Sequence, residues 1–127
     1  MTEPHRMSVR VYYEDTDLAG IVYYANYFRY IERGRTEYLR DLGVDQMDLK
    51  AETGVVFAVR KISAEYISPA RMDDVLTVET SVSSTSGARL FMAQRVLRDE
   101  TVLFTADVEI AALGEDGRPR RLPGVLR

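Results

Sequence analysis

Residues 25–43 read Ala25-Asn26-Tyr27-Phe28-Arg29-Tyr30-Ile31-Glu32-Arg33-Gly34-Arg35-Thr36-Glu37-Tyr38-Leu39-Arg40-Asp41-Leu42-Gly43. Tyr27, Tyr30, Ile31, Tyr38 and Leu42 recur at helical spacing and share one face, while Arg29, Arg33, Glu37 and Arg40 fall on others. That period predicts one long amphipathic helix over about residues 25–42. Gly43 suits the left-handed conformation just past a helix, and Arg40 sets a cation in the last turn. Gly34, inside the helix, costs about 1 kcal/mol relative to alanine; a closely packed neighbour such as a sheet explains tolerating it.

Upstream, residues 7–13 alternate: Val9, Val11 and Tyr13 on one side, Ser8, Arg10 and Tyr12 on the other, the pattern of a half-buried strand. Glu14-Asp15-Thr16-Asp17-Leu18-Ala19-Gly20 breaks the pattern with clustered acids and a glycine, which suits a loop. Downstream, residues 45–53 fit a short second helix capped by Asp45 and stopped by Gly54. Four strand-like runs follow, at residues 55–67, 75–84, 88–98 and 101–112, separated by short turns such as Ser68-Pro69-Ala70, Ser86-Gly87 and Asp99-Glu100. Short turns between long strands imply antiparallel neighbours. The last run places Val102, Phe104, Ala106, Val108 and Ile110 on one face. Residues 114–117 read as a turn. Residues 1–6 and 118–127 are expected to be loosely held tails of a single domain spanning residues 1–127.

One strand, one long helix and a run of antiparallel strands define an α+β domain with a sheet curled over a helix. Such a sheet has two open edges, and pairing an edge with a second copy is the favoured remedy. A homo-oligomer is expected on that ground.

The totals narrow the chemistry. A chain of 127 residues fits one core. Seventeen basic against twenty acidic side chains give a net charge of −3, with no long-range pull towards nucleic acid or anionic lipid. With no cysteine, disulfides, thiolate nucleophiles and cysteine-held metal are excluded. No run is long or apolar enough to span a bilayer, and the first residues lack the pattern of a secretory leader. A cytoplasmic protein without membrane insertion is expected. The one histidine, His5, lies in the leader, which makes Ser-His-Asp or Cys-His machinery a poor fit and leaves carboxylates, lysines and tyrosines as candidate bases or nucleophiles.

The stretch from Tyr12-Tyr13-Glu14-Asp15-Thr16-Asp17-Leu18-Ala19-Gly20-Ile21-Val22-Tyr23-Tyr24 through Glu37 resembles the signature of the 4-hydroxybenzoyl-CoA thioesterase family, and within it most nearly the Tol-Pal-associated acyl-CoA thioesterase branch. The likeness continues through Val59-Arg60-Lys61-Ile62, through Glu65-Tyr66-Ile67-Ser68-Pro69-Ala70-Arg71-Met72-Asp73-Asp74 and through Gln94-Arg95. The resemblance implies a hotdog fold, with a five-stranded antiparallel sheet wrapped around one long central helix. It also implies a homodimer often paired into a tetramer, and hydrolysis of acyl-CoA thioesters without metal or organic cofactor, coenzyme A being part of the substrate. It places the catalytic acid on Asp17 and the carbonyl-polarising backbone amide near Tyr24. Members of the Tol-Pal branch often carry histidine where this chain has Tyr24, while the hydroxybenzoyl branch has tyrosine.

Thioester hydrolysis needs an attacking oxygen and a holder for the charge that grows on the carbonyl oxygen. Asp17 suits the first as general base or nucleophile, and free N–H groups around residues 24–26 suit the second. Read without the resemblance, an acid in such a loop is most often a turn former. Gly20, Ile21, Val22, Tyr23, Asn26 and Tyr27 are the expected substrate-binding neighbours, although aromatics at a helix start often simply pack. Arg60, Lys61 and Arg89 are candidates for the phosphates of coenzyme A. Glu32 and Arg35, three apart, read as an intrahelical or sheet-facing pair. A non-catalytic acyl-CoA-binding scaffold and a hotdog dehydratase are the alternatives, the latter disfavoured by the lack of a second histidine.

Overall fold

The computed structural model describes residues 3–127. The alternating segments form five strands: β1 (His5–Arg10), β2 (Val56–Tyr66), β3 (Val75–Ser86), β4 (Arg89–Arg98) and β5 (Thr101–Leu113). Two helices, α1 (Asn26–Asp41) and α2 (Gln46–Thr53), separate β1 from β2 in the chain. The architecture expected around one long helix therefore contains two, the second being the Asp45-capped segment. The Asp45 side chain accepts the Asp48 N–H at 3.0 Å, and Gly54 ends the helix at φ 74°, a left-handed value that favours glycine.

All strand pairings are antiparallel, in the spatial order β1-β3-β4-β5-β2. Chain order does not dictate this arrangement, because β2 lies at the far edge against β5 rather than beside β3. Register shifts interrupt β2 between Val59 and Lys61 and β3 between Val82 and Ser84. Such bulges strengthen the local twist.

Helix α1 packs on β1, β3 and β4 and buries Tyr27, Tyr30, Ile31, Gly34, Arg35 and Leu39. Each large apolar member contributes about 1.5–3 kcal/mol on burial. This face is rotated from the expected one: Leu42 is 36% exposed and Tyr38 only half-buried. Gly34 sets the rotation, since a Cβ there would lie 2.7 Å from Val78 Cγ1, so the helix backbone rests directly on the sheet. Arg35 is drawn under the helix, where its Nη1 donates to Gln94 Oε1 at 3.0 Å. Gln94 Nε2 in turn donates to the Ile31 carbonyl and to Thr80 Oγ1. Buried polar groups linked in this way avoid the penalty of unmet hydrogen bonds. Glu32 accepts from Thr36 Oγ1 instead, so the expected Glu32–Arg35 pair is not formed.

Three further expectations change. The first strand stops at Arg10, and Tyr13, 80% exposed, opens a 3₁₀ turn, Tyr13–Asp15. Asp15 Oδ2 accepts the Tyr12 N–H and Thr16 Oγ1 donates to the Tyr13 carbonyl, local bonds that compete with a strand ladder. The leader, where residues 1 and 2 lie outside the described residues, joins the sheet from His5, which pairs in register with Thr80. His5 Nε2 also sits 2.9 Å from Asp41 Oδ2 at the end of α1. Residues 118–127 dock as well: the Arg120 N–H reaches the Ala112 carbonyl, and Leu122 and Leu126 are buried. Two apolar anchors and a β-bridge from Pro119 to Leu113 outweigh the proline breaks. Among the described residues no helix is long and apolar enough to cross a membrane.

Candidate active site

The acidic loop is fixed by its own backbone. Asp17 donates its N–H to the Ile21 carbonyl, and its carbonyl accepts the Gly20 N–H, both at 2.9 Å. Gly20 has φ 78°, which closes the turn at little steric cost only because it lacks a Cβ. Asp17 Oδ1 accepts the Ala19 N–H at 2.9 Å, while Oδ2 takes no hydrogen bond among the described residues. One carboxylate oxygen is thus anchored and the other is free.

Asp15 ties this turn to α1. Its carbonyl accepts the Tyr23 N–H and the Asn26 Nδ2, each at 2.9 Å. Val22 donates its N–H to the Ala70 carbonyl, and Tyr27 Oη accepts the Ala70 N–H at 3.0 Å. The loop, the first turn of α1 and the segment after β2 therefore form one hydrogen-bonded unit.

No side chain caps α1, and its first turn carries no acid. Of the amides at its mouth, Asn26 N–H is used by the Tyr23 carbonyl at 2.8 Å. Those of Tyr24 and Ala25 meet no acceptor among the described residues, and they lie at the positive end of the helix dipole. The Tyr24 carbonyl accepts from Tyr66 Oη at 2.9 Å.

Asp17, Ile21, Val22, Tyr24 and Tyr27 line one cavity of about 330 Å³, closed on the other side by Tyr66, Ile67, Ser68 and Pro69. Five of the expected site residues are thus brought together. Gly20, Tyr23 and Asn26 are not on the wall: Gly20 makes the turn, Tyr23 packs on Tyr24 with ring centroids 4.8 Å apart, and the Asn26 amide is committed to Asp15. Tyr66 and the Ile67–Pro69 wall were not singled out from sequence, although the Ser68-Pro69 turn falls within the stretch that carries the family likeness. Phe104 backs the wall, with Tyr27 stacked on it at 4.9 Å and Tyr66 edge-on at 5.0 Å.

Burial pushes the phenols of Tyr27 and Tyr66 above their ordinary range. Behind the wall, burial pushes the Asp74 carboxyl up, but the Arg71 N–H and the Arg98 guanidinium outweigh it and hold the group below the usual carboxylate range. Arg98 Nη1 lies 2.9 Å from Asp74 Oδ2.

The candidate phosphate-binding cations lie elsewhere. Arg60 Nε and Arg89 Nη1 flank Glu109 Oε2 at 3.2 and 2.9 Å, and Lys61 faces Glu109 across the strands. Lys61 lines a separate cavity of about 340 Å³ with Asp107 and Glu109. Tyr66 lies five residues along the strand from Lys61, about 16 Å. Among the described residues no three His, Cys, Asp or Glu side chains gather into a metal-holding group.

A free carboxylate oxygen, a pair of uncommitted amides and an aromatic-walled cavity are the parts of an acyl-transfer site. The family model of the Thioesterase superfamily matches residues 19–105, and the chain belongs to that superfamily, with the hotdog fold. It is a thioester hydrolase. It is 44% identical over 121 residues to the acyl-CoA thioester hydrolase YbgC of Escherichia coli O6:H1, covering 93% of this chain and 89% of that one. The crystal structure of a probable thioesterase from Bartonella henselae is 44% identical, superposes with a TM-score of 0.92 and covers 95% of this chain and all of that one. A mutant 4-hydroxybenzoyl-CoA thioesterase complexed with 4-hydroxybenzoyl-CoA shares the fold at a TM-score of 0.92 and 24% identity, covering 99% of this chain and 100% of that one.

Proposed function

We propose that this hydrolase cleaves acyl-CoA thioesters to the free acid and coenzyme A, with Asp17 as general base or nucleophile. Similarity to an acyl-CoA thioester hydrolase over most of both chains supports the substrate class. The observation that carries the site assignment is the free Asp17 Oδ2 on the same cavity as the Tyr24 mouth of α1.

In this reading the thioester carbonyl lies between the carboxylate and the helix mouth. As oxygen is added to the carbonyl carbon, negative charge collects on the carbonyl oxygen, and the Tyr24 and Ala25 N–H groups receive it. Each well-placed donor of this kind lowers the barrier by about 3–4 kcal/mol. Collapse of the tetrahedral species breaks the C–S bond and releases coenzyme A as its thiol. If Asp17 attacks directly, water then hydrolyses the mixed anhydride; if it acts as base, it takes the proton of the attacking water.

A cavity of about 330 Å³ is at the small end of ligand pockets. It suits a short aliphatic or aryl acyl group, with the nucleotide outside. Arg60, Lys61 and Arg89 are the cations we assign to that nucleotide end, three positive side chains around the Glu109 carboxylate. We further assign a homodimer, paired again into a tetramer, in a cytoplasmic setting without metal or cofactor. The open edge of β2, with Val56, Val59 and Tyr66 between 36% and 46% exposed, supports pairing between copies.

The test is thiol release from a panel of short-chain and aryl acyl-CoAs. Wild-type turnover should be lost in Asp17→Asn by about a thousandfold or more, while calorimetry still detects substrate binding. Tight binding with no wild-type turnover would instead mark a scaffold.

A further inference from the structure

The two uncommitted amides at the α1 mouth belong to two peptide units, and in each the carbonyl at the other end is occupied. The Tyr23–Tyr24 unit carries the Tyr24 N–H, and its carbonyl accepts the Asn26 N–H at 2.8 Å. The Tyr24–Ala25 unit carries the Ala25 N–H, and its carbonyl accepts the Tyr66 hydroxyl at 2.9 Å. The first tie is backbone to backbone. The second comes from a side chain 42 residues away, at the last position of β2.

Hydrogen bonds in series polarise one another: a carbonyl that accepts a bond makes the N–H of its own peptide a stronger donor. The same bond fixes the rotation of the peptide plane, and with it the direction of the N–H. We infer that Tyr66 is a positioning residue for hydrolysis, holding and polarising the Tyr24–Ala25 peptide whose N–H receives the developing charge on the substrate oxygen.

Three observations hold the phenol in this role. Its ring is packed edge-on against Tyr27 at 5.5 Å and Phe104 at 5.0 Å, so its direction is set from the core. Its hydroxyl is a protonated donor at neutral pH like any phenol, and burial and the neighbouring phenols push its pKa further up, not down. Its ring also lines the cavity that contains Asp17, so the tie and the reaction share one space. A residue acting only as wall would need no hydroxyl aimed at the helix mouth.

This inference rests on the thioesterase reading above, and the experiment separates the two. Tyr66→Phe keeps the ring and deletes the donor. The expected result is a fall in kcat of about fivefold to tenfold, the size of one lost hydrogen bond, with KM within about twofold and an unchanged melting temperature. In ¹⁵N-labelled protein without substrate, the Ala25 amide resonance should move upfield, while amides outside the first turn of α1 hold their positions. Wild-type kcat in the variant overturns the inference, as does a loss of rate with an unmoved Ala25 resonance or with a general loss of amide dispersion. An inactive wild type overturns the thioesterase reading itself, whereas an active wild type silenced by Asp17→Asn but indifferent to Tyr66→Phe overturns only the role of Tyr66.

Discussion

At the start of α2 the Asp45 carboxylate accepts the Asp48 N–H at 3.0 Å, whereas the capping position of α1 is Ala25, with no side chain bonded to the first turn. A good cap contributes about 1 kcal/mol. The longer helix, which forms the bulk of the contact with the sheet, goes without it, and the short peripheral one has it. The difference separates two uses of the same chemistry. At α2 an acidic side chain stands at the positive end of the helix and serves stability; at α1 none stands there, the Tyr24 and Ala25 N–H groups meet no acceptor among the described residues, and burial of Tyr27, Tyr30, Ile31 and Leu39 holds the helix instead.

Installing a cap on α1 should have the largest effect. Ala25→Asp would set a negative charge at the helix mouth beside the free Tyr24 and Ala25 N–H groups and repel an oxyanion, so hydrolysis should fall about a hundredfold while the melting temperature stays level or rises. Steady-state rates with a thermal melt check both halves. An undiminished rate would mean that these amides are not used.

Next in size is the pin behind the cavity wall that faces the open mouth. Asp74→Ala removes a carboxylate bonded to Arg71 N–H and Arg98 and should cost about 1.5–3 kcal/mol in denaturant unfolding. The folded Asp74 carboxyl is held below its ordinary range, so near pH 4 the unfolded chain takes up a proton that the folded chain does not. Its stabilisation is therefore present above the ordinary carboxylate pKa and is lost as pH falls through the depressed one. The variant should show a shallower acid limb than wild type.

Asp45→Ala is the mirror of the first change: about 1 kcal/mol of stability lost, with kcat and KM unmoved. Smallest of all is Tyr24→Phe, which leaves the backbone amide in place. It should keep at least about half of the rate, less than ~0.5 kcal/mol in the barrier; abolished hydrolysis with intact structure would give the phenol a chemical role.

Much of this contrast was legible in the chain. The helical period of residues 25–42, the Asp45 and Gly54 signals and the alternation of residues 101–112 are local patterns, and each appears within a residue or two of its expected place. The glycine-closed acidic loop was visible for the same reason, whereas Asp17 was singled out within it by the family resemblance and not by any local pattern. Pairings between distant residues were not. Nothing in residues 55–67 says that β2 crosses to the far edge beside β5, and no spacing rule brings Tyr66 to the Tyr24 carbonyl. Leu42 was read inward on a regular helical wheel, but a glycine contact at residue 34 turned that wheel and put Arg35 beneath it. The terminal segments looked polar and broken by proline, yet Leu122 and Leu126 suffice to seat the last one, because burial depends on what a side chain meets rather than on its neighbours in sequence.

Where Gly34 meets Val78, only a hydrogen atom stands between the helix and the sheet. Asn26 lies eight residues before that contact, about 12 Å along the axis. The elevation of the helix tip is thus gauged from a hard stop on the interior strand β3, much as a jig sets a tool. The alignment of donor and carboxylate inherits its tolerance from a touch point remote from both.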